Sequence, residues 1–377
     1  MNKIACYRPW TSFYVENSSQ AVKPCCWVNK TLATLNDDSN LENSYQTEEW
    51  EEMRRDMYNA NGELPSQCPI YCHHKQYHEW YDKTYYTIIS THINENSKWS
   101  IAPVEFSATI ANACNLKCKM CWIFDDFDYV ISEKGLNRVL DEIKNATVNN
   151  KENNLAELSI NIVGGEVFYA KSLRSTLYNL INDENVGKTF KFNFVTNATI
   201  WDQKFWDIMV EKPNALNCMT ISIDGYDKKS YLDIRGVDSF DKVMENLDKI
   251  IEWRNNNSET HGYWEIHINS LIQTNTYKNF KEIIDLFIER DTILSFIPLI
   301  ISYKPDAEWQ CYNLPEHQIP CLEAIKEAII YINTFKYDDA PETGEDIHWF
   351  KKKQQHSIKT SLENNQQYLE SIINNSK

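Results

Sequence analysis

The chain has 377 residues, 42% hydrophobic and 13% aromatic, enough for a buried core and two or three domains and not a disordered composition. Its 38 Lys and Arg face 54 Asp and Glu, a net charge of -16, which argues against a general binder of nucleic acid or anionic membrane while leaving room for a local basic groove. The start, Met1-Asn2-Lys3-Ile4-Ala5-Cys6, lacks an apolar stretch of signal-peptide length, and the run near Ile293 to Ile301 is too short to span a bilayer. A soluble, cytoplasmic protein with no membrane association is expected.

The first 80 or so residues carry little periodic pattern apart from a helix around Glu48 to Tyr58 and a strand at Ser12–Val15. They hold five of the eleven cysteines: Cys6, Cys25, Cys26, Cys68 and Cys72. An odd total and this pairing suit metal ligation better than a disulfide framework. A segment with so small a core gains most from a metal staple. Spacing alone leaves zinc, with His73 or His74 as a substitute ligand, level with an iron–sulfur cluster.

From about residue 100 the pattern alternates. Strands are expected at Val104–Ile110, Leu158–Val163, Phe190–Val195, Met219–Ile223, Glu265–Ile272 and Ile293–Ile300. Helical stripes lie between them: Leu136, Val139, Leu140 and Ile143; Leu173, Leu177, Leu180 and Ile181; Phe205, Ile208 and Met209; Phe240 to Ile251, capped at Asp238 or Ser239; and Phe280 to Ile288. Six strands separated by five helices imply an α/β fold, a partial (β/α)6 parallel barrel whose active site lies at the carboxyl ends of the strands. Beyond residue 303 a helix is expected around Leu322 to Ile332, and the Asn- and Gln-rich tail from Lys351 reads as a loosely held helix. Cys218, Cys311 and Cys321 read as ordinary small apolar residues.

Directly after the first of these strands comes Cys114-x3-Cys118-x2-Cys121. Three thiolates in one short loop suit three irons of a [4Fe–4S] cluster and leave the fourth open to chemistry. The following strand ends are polar: Gly164-Gly165-Glu166, then Thr196-Asn197, then Ser222-Ile223-Asp224-Gly225, with Arg235 further on. Glycines admit a ligand close to the backbone, and a carboxylate accepts from an ammonium. Each is an ordinary turn alone; on successive strand ends they form a polar mouth.

The triplet, the Gly-Gly-Glu and the Ser-Ile-Asp-Gly, in this order over residues 100 to 300, resemble the radical S-adenosylmethionine (SAM) superfamily. One departure is Met120, before the last cysteine, at a position often aromatic in that family; Met120 can still pack against an adenine, and Trp122, just past Cys121, is a further candidate cofactor contact. The N-terminal segment (Cys6…Pro9-Trp10…Pro24-Cys25-Cys26, then Trp50…Met57…Pro65…Cys68…Cys72) is similar to the twitch module, the half-sized relative of the SPASM domain. That likeness favours a second, auxiliary [4Fe–4S] cluster on Cys6, Cys25 or Cys26, Cys68 and Cys72, with Cys25 preferred. The resemblance divides the chain into an auxiliary-cluster module and linker at 1–98, a core barrel at 99–303 and a C-terminal helical extension at 304–377.

The resemblance implies that the open iron chelates SAM and that an electron, from a donor such as flavodoxin or ferredoxin, cleaves it to a 5′-deoxyadenosyl radical. Glu166 and the Gly164-Gly165 backbone would hold the SAM ammonium and Arg235 or Ser222 its carboxylate; Asn197, Ser222 or Asp224 would reach the ribose. Few positive charges are expected around so reducing a cluster, with Lys117 and Lys119 turned to solvent. A saturated auxiliary cluster would make the net reaction an oxidation of a peptide or small metabolite. Two alternatives stay open: a redox-neutral epimerisation or rearrangement, and a non-enzymatic zinc- or cluster-bearing binding protein.

Overall fold

The computed structural model describes residues 4, 6–16, 21–26, 28, 30–34, 45–60, 62–68, 83–97, 99, 101–109, 112–121, 139, 141–145, 148, 158–184, 186, 190–298, 308, 310–335 and 347–375. The chain divides into two compact units: Met1–Ala113, Asp126–Phe194 and Asp207–Ala215 in the first, and Cys114–Asp125, Val195–Trp206 and Leu216–Lys377 in the second.

The first unit holds helix α1 (Arg8–Thr11), strands β1 (Ser12–Val15), β2 (Ala21–Lys23) and β3 (Ala33–Thr34), helices α2 (Glu48–Asn59) and α3 (Lys83–Asn94), strands β4 (Glu105–Thr109) and β5 (Leu158–Val163), helix α4 (Lys171–Asn182) and most of β6 (Phe190–Thr196). The strands run β3-β2-β1-β4-β5-β6; β2 and β3 are added antiparallel, and the pairs from β1 to β6 are parallel. The alternation in β6 has the expected outcome: Phe190, Phe192 and Phe194 are buried, Lys191 and Asn193 half-buried. On the half-buried face Asn193 donates to Asn161 (2.7 Å), which donates to Glu105 (3.1 Å) and Ser107 (3.0 Å).

The N-terminal segment is tied into this sheet through β1, whose Ser12 lies opposite Glu105 and donates to its carboxylate at 2.9 Å. Helix α2 begins where expected, with Thr47 accepting from the Trp50 N–H. Beneath it Arg54, 1% exposed, donates to Pro9 O and Glu51, and Glu51 also binds His92 of α3 (3.0 Å) and the Trp99 N–H (3.1 Å).

The second unit contains β7 (Leu216–Ser222), β8 (Glu265–Ile272) and β9 (Ile293–Pro298), paired parallel in that order. Helix α5 (Gln203–Val210), whose residues from Asp207 onward belong to the first unit, precedes β7 in the chain; α6 (Lys228–Arg235) and α7 (Phe240–His261) follow it; and α8 (Phe280–Ile288) joins β8 to β9. Helices α9 (Pro315–Ile332) and α10 (Ile347–Asn375) close the chain. The fold is α/β with mostly parallel strand pairing, as a partial barrel requires. No described helix is long and apolar enough to cross a membrane.

Two sequence expectations need correction here. Ser239 is the N-cap of α7, yet its side chain makes no cap bond. Helix α10 is not loosely held: Ile358, Leu362 and Leu369 are fully buried, and Asn365 donates to Phe296 O (3.0 Å) and Gln354 to Phe287 O (2.7 Å). Gln354 and Asn365 are polar yet buried with hydrogen bonds made, which a hydropathy pattern does not register. Of the expected stripes, Leu136 and Leu140 lie outside the described residues.

Candidate functional site

The cysteine loop is gripped by a helix that periodicity did not reveal. Helix α6 opens with a reciprocal capping box between Asp227 and Ser230 and closes at Gly236 in the left-handed conformation (φ 75°). Asp227-x-x-Ser230 ahead of Tyr231 and Ile234, with glycine at 236, is the signal that would have found it. Leu116, Cys118 and Met120 pack into one buried cluster with Ile234, flanked by Cys114, Cys121, Val237 and Leu271. The Lys119 N–H donates to Ile234 O (3.2 Å), and the exposed Lys119 ammonium pairs with Asp233 (3.0 Å). Lys117 and Lys119 are exposed, as expected.

Polar hydrogens converge on the sulfurs of this loop. Cys114 Sγ accepts from its neighbour, the Leu116 N–H (3.4 Å), and from Asn197 Nδ2 (3.7 Å); Cys118 Sγ accepts from Arg235 Nη1 (3.6 Å). Asn197 also donates to Asn115 Oδ1 (3.1 Å) and accepts from the Thr199 N–H (2.9 Å), and Asn115 donates to Thr199 Oγ1 (2.7 Å). Such donors stabilise sulfur that carries negative charge, as a thiolate bound to iron does. The chemistry of the loop therefore fits an iron–sulfur cluster.

Arg235 and Asp224 were expected to meet a ligand separately. They are ion-paired with each other, through Nη2 and Oδ2. Asp224 is fully buried, and its Oδ1 accepts from the Leu271 N–H at 2.7 Å. Burial works against the charge on Arg235, but Asp224 first and Cys118 next outweigh it and hold the guanidinium pKa above the usual arginine value. The expectation of few positive charges near the three cysteines thus meets one buried guanidinium, donating to Cys118. Its Nε, also buried, has no hydrogen-bond partner among the described residues. An orphaned donor on a residue 7% exposed fits a ligand carboxylate.

The remaining expected residues are placed as follows. Ser222 is half-buried at the end of β7. Gly164 and Gly165 both have positive φ (90° and 51°); Glu166 is fully buried, its N–H donating to Ala113 O (2.9 Å) and its carboxylate accepting from the Phe168 N–H (3.3 Å). Cys6 and Cys25 are buried, Cys68 is half-buried and Cys26 exposed. Burial, with smaller contributions from Cys26 and Cys25, pushes the Tyr14 phenol up to about 12. Among the described residues no three His, Cys, Asp or Glu side chains are gathered closely enough to hold a single metal ion. Trp122, Cys72, His73 and His74 lie outside the described residues.

One residue escaped the sequence reading. Asn112, two places before Cys114, is fully buried, and neither atom of its carboxamide has a partner among the described residues. Its only signal is its place between strand and cysteines.

Residues 109–287 match the family model described as Radical SAM superfamily. The cysteine loop sits in a radical SAM segment. The GTP 3′,8-cyclase of Actinobacillus succinogenes (strain 130Z) is 23% identical over 207 residues, 55% of this chain and 56% of that protein. The GTP 3′,8-cyclase of Haemophilus influenzae (strain PittEE) is 23% identical over 211 residues, with the same coverage. The chain spans about half the length of the curated relatives it matches. Among solved structures, native anSMEcpe with bound AdoMet and Cp18Cys peptide is 19% identical, covers 62% of this chain and 60% of its own, and has a TM-score of 0.44.

Proposed function

We propose that this radical SAM enzyme oxidises a peptide or small metabolite, with Cys114, Cys118 and Cys121 holding the SAM-binding [4Fe–4S] cluster. When bound, that cluster supplies the single electron that cleaves SAM to the hydrogen-abstracting 5′-deoxyadenosyl radical. The observation that carries the reading is the set of N–H donors on Cys114 and Cys118 together with the orphaned Nε of Arg235. Arg235 offers that N–H to the SAM carboxylate, and Ser222 stands at the end of β7 for the same carboxylate or the ribose. Glu166, with the Gly164-Gly165 backbone, is assigned to the ammonium by the family resemblance, Met120 to the adenine, and Trp122 to a further cofactor contact. Asn197 and Asp224 are the other candidates for the ribose; each already has the partners described above.

Cys6, Cys25, Cys68 and Cys72 are proposed to hold an auxiliary [4Fe–4S] cluster that accepts an electron from the product radical, with Cys25, buried, favoured over the exposed Cys26. GTP is the first small molecule to offer as substrate, because the curated relatives are GTP 3′,8-cyclases.

Anaerobic reconstitution tests the reading. Two clusters require about eight irons with matching sulfide per chain; zinc without sulfide would overturn it. SAM cleavage to 5′-deoxyadenosine is expected to vanish in Cys114→Ala and to persist in Cys68→Ala. Persistence in Cys114→Ala removes the site assignment.

A further inference from the structure

A guanidinium donating to a ligand sulfur works against strong reducing power. It stabilises the electron-richer state of a cluster and so raises the potential. In a site as buried as Cys118 (7% exposed) and Arg235 (7%), solvent does little to screen that charge. The fork of Arg235 is divided: Nη1 points at Cys118 Sγ and Nη2 at Asp224. Asp224 is fixed from behind by the Leu271 N–H and is fully buried. Seen from the sulfur, a cation is followed immediately by its counter-anion.

We propose that Asp224 is a positioning residue that keeps the cluster strongly reducing: by pairing with Arg235 it cancels the charge that the guanidinium brings to Cys118. The N–H···S bond then orders the cysteine loop without the full electrostatic penalty to the potential. This rests on the reading that Cys114, Cys118 and Cys121 hold a [4Fe–4S] cluster. It goes beyond that reading in giving the Asp224–Arg235 pair a task that needs no bound SAM. An ion pair that merely fixes α6 against the strands would leave the potential indifferent to the sign of the charge removed.

The experiment is a potentiometric titration, followed by EPR, of the reconstituted full chain without SAM. Asp224→Asn keeps the Oδ1 acceptor for Leu271 but leaves Arg235 uncompensated. At fixed poise its ratio of reduced to oxidised cluster is expected to rise at least tenfold, about 59 mV for one electron. Arg235→Gln is expected to move the ratio in the opposite direction, and the double variant to return it to within about threefold of wild type. Shifts of the same sign in both single variants, or no shift in either, overturn the proposal while leaving the cluster assignment intact. A wild-type protein that binds no iron at Cys114, Cys118 and Cys121 overturns that assignment and the proposal with it. Should the variants fail to fold, wild type labelled with 15N-arginine decides. A 15N coupling to the reduced cluster supports the arrangement, and its absence removes the guanidinium from the sulfur.

Discussion

A Cβ on Gly236 would stand 3.1 Å from the carbonyl oxygen of Lys117, in the middle of the cysteine loop. The glycine also has φ 75°, which costs a side-chain-bearing residue about 1–2 kcal/mol. Gly236→Ala is therefore expected to destabilise the fold by at least that amount and to push the loop away from α6. Iron content and melting temperature of the reconstituted protein measure both effects. Wild-type values in both would show that the close approach has no consequence for the loop.

The cysteine triplet and the alternating strands were legible in the sequence because both are local. Spacing fixes how many thiolates one loop can present, and alternation such as Phe190, Phe192 and Phe194 against Lys191 and Asn193 fixes which side of a strand is buried. Helix α6 was missed, because its eight residues carry no clear apolar stripe and only its end signals, Asp227, Ser230 and Gly236, mark it in the sequence. The pairing of Asp224 with Arg235 was equally hidden. Each residue taken alone reads as a ligand for something, and only their proximity shows that each has already engaged the other.

Asn197 binds the cysteine loop through Cys114 and Asn115 and fixes its own turn through Thr199. Asn197→Ala is expected to speed iron loss to a chelator several-fold. Asn197→Asp is expected to be worse, because it turns an N–H donor into a carboxylate facing a thiolate. The order of release rates, Asp above Ala above wild type, is the check. An Asp variant as slow as wild type would exclude the contact with Cys114.

Glu51 joins Arg54, His92 and the Trp99 N–H beneath α2. Burial alone would raise its pKa, but the His92 and Arg54 contacts and the Trp99 N–H hold it at about 2. The stabilisation is therefore present above the ordinary value of 4.5 and is lost as pH falls through about 2. Glu51→Ala leaves Arg54 buried with its carboxylate partner gone and is expected to cost about 3–5 kcal/mol. Denaturant unfolding at pH 7 measures the loss, and at pH 2 the gap between wild type and variant should narrow.

In the second unit His267 Nε2 meets Glu265 at 2.7 Å, and Lys353 of α10 pairs with the same carboxylate. Burial lowers the imidazole pKa, but hydrogen bonds to Cys218 and Glu265 outweigh it and lift it to about 9. Because the folded value lies above the ordinary 6.5, this stabilisation is complete below pH 6.5 and is lost as pH rises through about 9. His267→Gln should lose less stability than wild type between pH 6.5 and 9.5. Parallel melting-temperature profiles for the two proteins would show that the protonated imidazole contributes nothing.

By itself the sequence determined what can be carried by neighbours in the chain: the three-thiolate loop, the alternating strands and intervening helices, and the excess of acid over base. Tertiary structure decided everything that depends on residues far apart in the chain. It brought Arg235 to Cys118 and Asp224 to Arg235, tied β1 to β4, and buried Asn365 of α10 against the carbonyl of Phe296 in β9. The physical reason is the same in each case. A charge or an amide becomes stabilising or costly only according to what desolvates it and what it then faces, and neither is written in the residues on either side of it.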